Sequence, residues 1–458
     1  MGVSSRPLVG VVVVNHNGGD LTLRCLKSLF ALAWPAERLR VVLVDNASTD
    51  GVADTVEQRH PNVVVVRSNV NLGFAAGCNA GIGRLGDADY DALLNNDAVA
   101  EPGWLEPLVD AVAREQGVGA AASKVLFAGR FADVRLDAST HMAGRGDRRA
   151  LGVRLGGATV DGTDVWSRTQ LVRGFWGNEH PGPGDDGFQW SAESALLRVP
   201  SPGVSSVAAL LLSSDVPKNV VVRCGSARVE LPVGPDARWC DVPLRSDPVD
   251  VINSAGVVVL GGGYGADRGY LEVDGGQYEE PADVFAWSGA SVLLSRAYLD
   301  DVGLFDERYF LYYEDLDLSW RGRLRGWRYR YVPQSVARHV HAASTGLRSP
   351  LQDHYVERNR LLTLARNAPG GIAAAAVTRF LLITLSYARR DVISRLLRGE
   401  RPSVEIVGRR LRALAAFFGR LPRALVDRRR LRHRRRMSDG ELRSWMVNSP
   451  GTVVGTDP

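Results

Sequence analysis

Cysteine is scarce in this chain: four thiols in 458 residues, at Cys25, Cys78, Cys224 and Cys240. No two stand in a CxxC spacing and no histidines gather beside them, which argues against a thiolate zinc site. Scattered thiols in a long chain fit a reducing compartment. Cys224 and Cys240 could face each other across a hairpin, but nothing else in the sequence points to export. Long apolar runs are also lacking. Leu8 to Val14 is too short for a signal core with its cleavage site and reads better as a buried strand. No stretch of about 20 residues is apolar without interruption; the nearest, Ile372 to Tyr387, contains Arg379. Nor is there a strong excess of one charge. The net charge is +5, and it is unevenly placed. What remains is an ordinary globular mixture, 45% hydrophobic and 23% charged. It is long enough for two or three units, each with its own core.

The first hundred residues alternate strand and helix. Val9 to Val14 is a β-branched run of the kind found in a parallel strand covered on both faces. Leu21 to Leu32 has helical spacing. Arg40 to Val44, Val63 to Val66 and Ala92 to Leu94 read as further strands, with a short helix expected at Asn79 to Leu85. This repetition predicts an open α/β sheet, whose ligands bind at the carboxyl ends of the strands. Asn15, Asp45, Asn69 to Gly73 and Asn95 to Asp97 all follow strands, so these polar residues should converge on one edge. From about Arg130 the texture changes to glycine, proline and short alternating runs. Residues 145–248 are expected to form an inserted β-rich, sandwich-like module. The α/β texture returns near Phe285, and the chain is helical after Tyr355.

Several residues in this frame could do chemistry. Asp45, at a strand end, can accept a hydrogen bond from a pyrimidine N–H or a ribose hydroxyl; the plainer alternative is turn and N-cap chemistry. The loop Asn69 to Asn79, with Asn71, Gly73 and Asn79, is small enough to bring backbone N–H groups up to an anion at a helix start. Its spacing is neither GxGxxG nor a Walker A loop, which disfavours a Rossmann oxidoreductase. In Asn95-Asn96-Asp97 a carboxylate can hold a hard divalent cation that bridges two phosphates. Glu314 and Asp315 open a helix after an aromatic run. Acids there suit the helix dipole, but an aromatic flank can also desolvate a carboxylate into a general base. Trp287, two residues before Gly289, is either a sugar-stacking surface or a core aromatic. His339 and His341 would share one face of a strand, where an imidazole could complete a metal shell opened by Asp97.

The order of these motifs resembles family 2 glycosyltransferases of GT-A fold, nearest their bacterial rhamnosyltransferase-like branch. The motifs are Val-Val-Val-Asn-His-Asn, Val-Asp-Asn-Ala-Ser-Thr-Asp, Asn-Leu-Gly-Phe-Ala-Ala-Gly-Cys-Asn, Leu-Asn-Asn-Asp, Trp-Ser-Gly-Ala, Gly-Leu-Phe-Asp-Glu, Tyr-Glu-Asp-Leu-Asp-Leu-Ser-Trp-Arg and His-Val-His-Ala-Ala-Ser. The resemblance implies that Asp45 contacts the base of a nucleotide-diphosphate sugar, and that Asn15, Asn71, Gly73, Asn79, Asn95 and Asn96 line the donor. It makes Asp97 and His341 the ligands of Mg2+ or Mn2+, with His339 the second choice for the histidine. Asp315, with Glu314, becomes the catalytic base, and Trp287 and Gly289 lie at the acceptor or sugar. The reaction would be inverting, by one in-line displacement. Two departures stand out: Asn95 replaces the first acid of the Asp-x-Asp pattern, and the insertion lengthens the gap from Asp97 to Trp287.

The implied layout is a nucleotide-sugar part at 1–130, the insertion at 145–248, and an acceptor part at 250–367. A helical basic region at 368–447 and a disordered end at 448–458 complete it. Trp166, Trp176, Trp190 and Trp239 make glycan binding by the insertion conceivable, though aromatic core packing explains them as well. In the last helical region apolar and arginine-rich stretches succeed each other, as in helices lying on an anionic membrane. No nucleic-acid motif accompanies the arginines. The expectation is a cytoplasmic enzyme, peripheral at the inner face of the cell membrane, acting on a glycan or lipid-linked acceptor. The competing reading is a non-catalytic glycan- or membrane-binding protein on a degenerate transferase fold.

Overall fold

The computed structural model describes residues 6–144, 147–179, 187–340 and 349–447. Two compact units emerge. One combines the chain up to Leu126, Asn253–Tyr270 and the chain from Gly276 onward. The other is built from Phe127–Ile252 with Leu271–Gly275, so it starts ahead of the stretch from residue 145 that the sequence suggested.

The first unit is built on a ten-stranded mixed sheet. Its parallel part is β3-β2-β1-β4, namely Val64–Ser68, Leu39–Asn46, Val9–Asn15 and Tyr90–Leu94. The register runs Val9 against Leu39 through to Asn15 against Asp45. The valine runs suit these strands because β-branched side chains pack on a pleated surface; β1 and most of β2 are covered on both faces, whereas β3 at the edge is partly exposed. Val9, Val11, Val12 and Val13 are essentially inaccessible, as are Val42, Leu43 and Val44. Helices α1 (Asp20–Phe30), α2 (Val52–Arg59) and α3 (Gly73–Ile82) make the crossovers. α3 begins at Gly73, six residues before the helix expected at Asn79. Its glycines and alanines give no helical hydrophobic pattern, yet they let it lie close on the sheet. A Cβ on Gly81 would come within 2.3 Å of Val12.

The chain passes β1, β2 and β3 on one side and returns to β4 on the other side of β1. The carboxyl ends of β1 and β4 therefore flank a topological switch point, where open α/β sheets bind ligands. Beyond β4 comes Ser291–Ser295, antiparallel both to β4 and to the next strand, β6 (Val118–Phe127), which is followed by Arg328–His339. This is a mixed α/β sheet with its strand ends gathered at one edge, as the motif order led us to expect.

Helix α6 (Glu314–Leu324) carries the second acidic motif. Its apolar side, Leu316, Trp320 and Leu324, enters a core shared with α7 (Pro350–Asn367), α8 (Gly370–Tyr387) and the long helix Glu405–His433. Phe380 and Phe417 are buried in that core. Part of the arginine content is used inward here. Arg428 Nη1 donates to the carbonyls of Ala365 (3.0 Å) and Ala368 (2.7 Å), satisfying the open end of α7. The C-terminal helices are thus packed behind α6. They also differ from the expectation that no apolar stretch suffices to span a bilayer. The helix Gly370–Leu397 is 28 residues long; its most apolar 18-residue stretch has a mean hydropathy of 1.6, and only 17% of that stretch is buried.

The second unit is a nine-stranded sheet of antiparallel pairs around one apolar core. Both edge strands, Ala227–Val233 and Arg238–Pro243, contribute to that core through Val233, Cys240 and Val242, so the sheet folds back on itself. Trp190 is buried, whereas Trp239 is half exposed. All four cysteines are free and buried, so Cys224 and Cys240 form no bridge.

Candidate active site

Asn15, the last residue of β1, is fully buried and organises the strand ends. Its Oδ1 accepts from Thr22 Oγ1 (2.7 Å), the Gly18 N–H (3.0 Å) and Asn96 Nδ2 (3.1 Å). Its Nδ2 donates to Ser48 Oγ at 3.1 Å and Asp50 at 3.2 Å. Asn15 and Asn96 thus spend their amides on tying loops together. Asp45 accepts from the Ser48 N–H at 3.1 Å, and its other oxygen lies 4.0 Å from Arg67. Next to it, Asn46 holds the following loop. It accepts from the Leu72 N–H at 2.8 Å and donates to Asn71 Oδ1 and the Gly73 carbonyl, each at 3.1 Å. Gly73 has φ of 79°, and a Cβ there would sit 2.3 Å from the Phe310 carbonyl. Asn79, expected at the donor, instead bonds Phe305 and Glu307: its Nδ2 donates to the Phe305 carbonyl at 2.9 Å and its Oδ1 accepts from the Phe305 N–H at 3.1 Å. Its polar atoms are occupied in joining α3 to that segment.

After β4 the chain presents Asn95, Asn96 and Asp97. Asp97 Oδ1 lies 3.0 Å from Nε2 of His339, the last residue of the strand Arg328–His339. His339 Nδ1 faces Asn253 Oδ1 at 2.9 Å, and Asn95 Nδ2 lies 3.4 Å from Nε2. His339, the second choice in the sequence, is therefore the histidine that meets Asp97; His341 lies outside the described residues. If Nδ1–H is given to Asn253, the Nε2 lone pair points toward Asp97, the tautomer that suits a metal ligand. Asn95 Oδ1 is buried without a hydrogen-bond partner among the described residues. A carboxylate, an imidazole and an uncommitted amide oxygen form a donor set that fits a divalent cation. Among the described residues no three His, Cys, Asp or Glu side chains converge.

The loop Trp287 to Ala290 connects this corner to the second acidic motif. The Ala290 carbonyl accepts from the Asn95 N–H at 3.0 Å, and the Gly289 N–H donates to Asp315 Oδ2 at 3.0 Å. Asp315 Oδ1 accepts from the Leu316 N–H at 2.7 Å. Burial pushes the Asp315 carboxyl up, opposed by these two N–H groups. Glu314 is more deeply buried, and its Oε2 has no hydrogen-bond partner among the described residues. Burial, reinforced by the Asp315 charge, pushes it well above the usual range. Glu314 therefore retains its proton more readily than its neighbour. Asp317, third in the acidic run, belongs to the core: it accepts from Asn367 Nδ2 at 2.8 Å and Arg321 Nε at 2.9 Å.

Trp287 departs from its expected role. It is fully buried, with its ring edge-on to Phe305 at 6.0 Å, so it offers no face on which a sugar could stack. Gly289 does lie beside the acid, acting through its backbone. Two supports were not singled out from sequence. The loop ahead of α6 holds Phe310, Tyr312 and Tyr313 at φ of 65°, 66° and 71°, a left-handed conformation that aromatic residues rarely adopt. Asn359, on α7, offers its side-chain N–H groups to the carbonyls of Tyr309, Leu311 and Tyr312 at 3.0, 2.8 and 2.7 Å. No local sequence signal marks Asn359, whereas Asn46 sits within the strand-end motif itself.

Residues 10–150 match the model of Glycosyl transferase family 2. The chain is 28% identical over 348 residues to N-acetylglucosaminyl-diphospho-decaprenol L-rhamnosyltransferase of Mycobacterium tuberculosis, covering 73% of this chain and 77% of that one. It is 28% identical over 145 residues to glycosyltransferase AglE of Haloferax volcanii, covering 30% and 47% respectively. Among solved structures it is similar to GalNAc-T7 with UDP, GalNAc and Mn2+, at 12% identity and a TM-score of 0.42, spanning 79% of this chain and 48% of that one.

Proposed function

We propose that this chain, whose residues 10–150 match the family 2 glycosyltransferase model, moves a sugar from a nucleotide diphosphate to an acceptor hydroxyl with inversion, using Asp315 as the base. The observation that carries this reading is the Ser288–Ala290 bridge. Its backbone orients Asp315 on one side and meets Asn95 on the other. A base and a phosphate-handling corner thus stand across one short loop.

Each group then has a distinct task. The two N–H bonds to Asp315 hold its carboxylate in place for an incoming hydroxyl and oppose the upward push of burial on its pKa. As the acceptor oxygen forms its bond to the anomeric carbon, the bond from that carbon to the diphosphate oxygen breaks. The hydroxyl proton passes to Asp315, and the electron pair of the broken bond leaves with the diphosphate. Asp97 and His339, with Asn95 beside them, would hold a divalent cation, which supplies counter-charge for the departing diphosphate. Asp45 and the Asn71–Gly73 loop sit where the nucleoside would lie.

We take the donor to be a nucleotide-linked rhamnose, dTDP-rhamnose by the resemblance of the motifs, and the acceptor to be a polyprenyl-diphosphate-linked sugar of cell-envelope synthesis, in keeping with the rhamnosyltransferase the chain resembles. A membrane-bound acceptor accords with the C-terminal helices. Leu382, Leu385 and Leu397 are 61%, 64% and 83% exposed, and Arg389, Arg390, Arg395 and Arg398 stand among them. Because Ala376, Phe380 and Thr384 are buried on α8, we place it flat on the inner leaflet rather than across it. A donor screen by mass spectrometry, with Mg2+ or Mn2+, tests the reading through released nucleoside diphosphate. Wild-type release with one sugar nucleotide, abolished by EDTA, is expected. Turnover indifferent to EDTA would refute the cation assignment, and no turnover with any donor would refute the transferase reading.

A further inference from the structure

The groups described so far account for the diphosphate and for the acceptor proton, but none is left for the hydroxyls of the sugar being transferred. Trp287 is buried and cannot supply a stacking face. A carboxylate outside every motif singled out above fills that gap. Asp267 ends the short strand Gly265–Asp267, which pairs antiparallel with Val257–Leu260, placing Asp267 opposite Val257.

This strand touches both halves of the site. At one end the Gly265 N–H donates to Tyr313 Oη at 3.3 Å. A Cβ on Gly265 would fall 2.8 Å from Leu316 Cδ2, so the strand lies directly against the first turn of α6, beside Asp315. At the other end Asp267 meets the Ser254 hydroxyl. The residue before it, Asn253, faces His339 Nδ1 at 2.9 Å. The Asp267 carboxylate is thus near enough to feel the charge of Asp315 and the imidazole of His339 together. Burial, the largest influence, pushes it up to about 6, with Ser254 and His339 opposing and Asp315 adding. The residue as a whole is half-buried rather than sealed in the core.

A group placed between the diphosphate corner and the base adjoins whatever passes from one to the other. Sugar hydroxyls are donors, and a carboxylate is an acceptor with room for two of them. Hydrogen bonds to an ionised acceptor are roughly twice as strong as neutral ones. We infer that Asp267 grips hydroxyl groups of the transferred sugar ring, making it a donor-sugar-binding residue of this site; the inference rests on the transferase reading above. The ligand class is a nucleotide sugar with free ring hydroxyls, as distinct from the bare nucleotide.

The test compares two ligands on three proteins. Once a screen of dTDP, UDP and GDP sugars has identified the donor, calorimetry measures that sugar nucleotide and its bare nucleoside diphosphate on wild type, Asp267→Asn and Asp267→Ala. The bare diphosphate should bind all three within about twofold. The sugar nucleotide should bind the variants at least tenfold more weakly, with donor kcat/KM falling and acceptor KM unchanged. Asp267→Asn keeps the size of the side chain and its reach to Ser254, so it covers the case in which Asp267→Ala does not fold. Unchanged sugar-nucleotide affinity, equal loss of both ligands, or a change confined to acceptor KM would each overturn the assignment. A wild type that turns over no sugar nucleotide refutes the transferase reading instead, so the two failures are separable.

Discussion

Asp315 and Glu314 are neighbours with unequal surroundings, and the difference decides which acts. Two backbone N–H groups hold Asp315, while Glu314 has a buried oxygen without a partner among the described residues. Two like charges this close are not both easily kept in a buried place, and the better-solvated one ionises first. We expect Asp315→Asn to keep nucleotide-diphosphate affinity and lose transfer by about 10²- to 10⁴-fold, the range for a general base; single-turnover kinetics with parallel binding measurements check it. The sign of the pH dependence follows. The base works ionised, and burial raises its folded pKa above the ordinary Asp value of about 3.9. Activity should therefore fall as pH drops through that raised value, with the acid limb of kcat/KM above the position of a solvated aspartate. A limb at or below about 3.9 would contradict the desolvation argument. These acids were legible in sequence because they sit at strand ends and a helix start. Trp287 stayed open between two readings because a Trp-Ser-Gly stretch looks alike whether the ring packs inward or faces a ligand, and the ring packs inward.

At the scale of elements, the loop before α6 is where the fold concentrates its constraints. Three left-handed aromatics cost on the order of 1–3 kcal/mol each, and Asn359 with Gly73 holds them in place. Asn359→Leu would leave the carbonyls of Tyr309, Leu311 and Tyr312 without that donor. We expect about 1–3 kcal/mol of lost stability and a larger fractional loss of activity, read by thermal melting beside the transfer assay. Gly73→Ala would drive a Cβ against the Phe310 carbonyl; a comparable destabilisation is expected, and an unchanged melting temperature would show that the turn is not held there. Most strands and crossover helices could be read from valine runs and helical spacing, since burial on both faces leaves a strong pattern. α3 could not be delimited, because its close approach to the sheet demands small residues and small residues erase the pattern. Asn253, Asn359 and Asp267 were invisible for a different reason: each acts across a long separation in sequence.

At the scale of the whole molecule, the C-terminal helices carry the surface that we propose lies on a bilayer. One face of α8 is packed in the core with Phe380 and Phe417, and the other leaves leucines exposed beside arginines. Triple replacement of Leu382, Leu385 and Leu397 by serine should abolish most co-sedimentation with anionic vesicles while leaving transfer to a soluble acceptor analogue intact. Binding that survives the triple change would place the membrane contact elsewhere. The central claim, a cation-assisted transfer with Asp315 as base, is met most directly by one measurement. Nucleoside diphosphate binding and single-turnover transfer are followed together for wild type and Asp315→Asn, with Mg2+ and with EDTA. Tight, EDTA-sensitive binding is expected in both proteins, and transfer in wild type alone. Full transfer by Asp315→Asn, or binding equal with and without the cation, would contradict it.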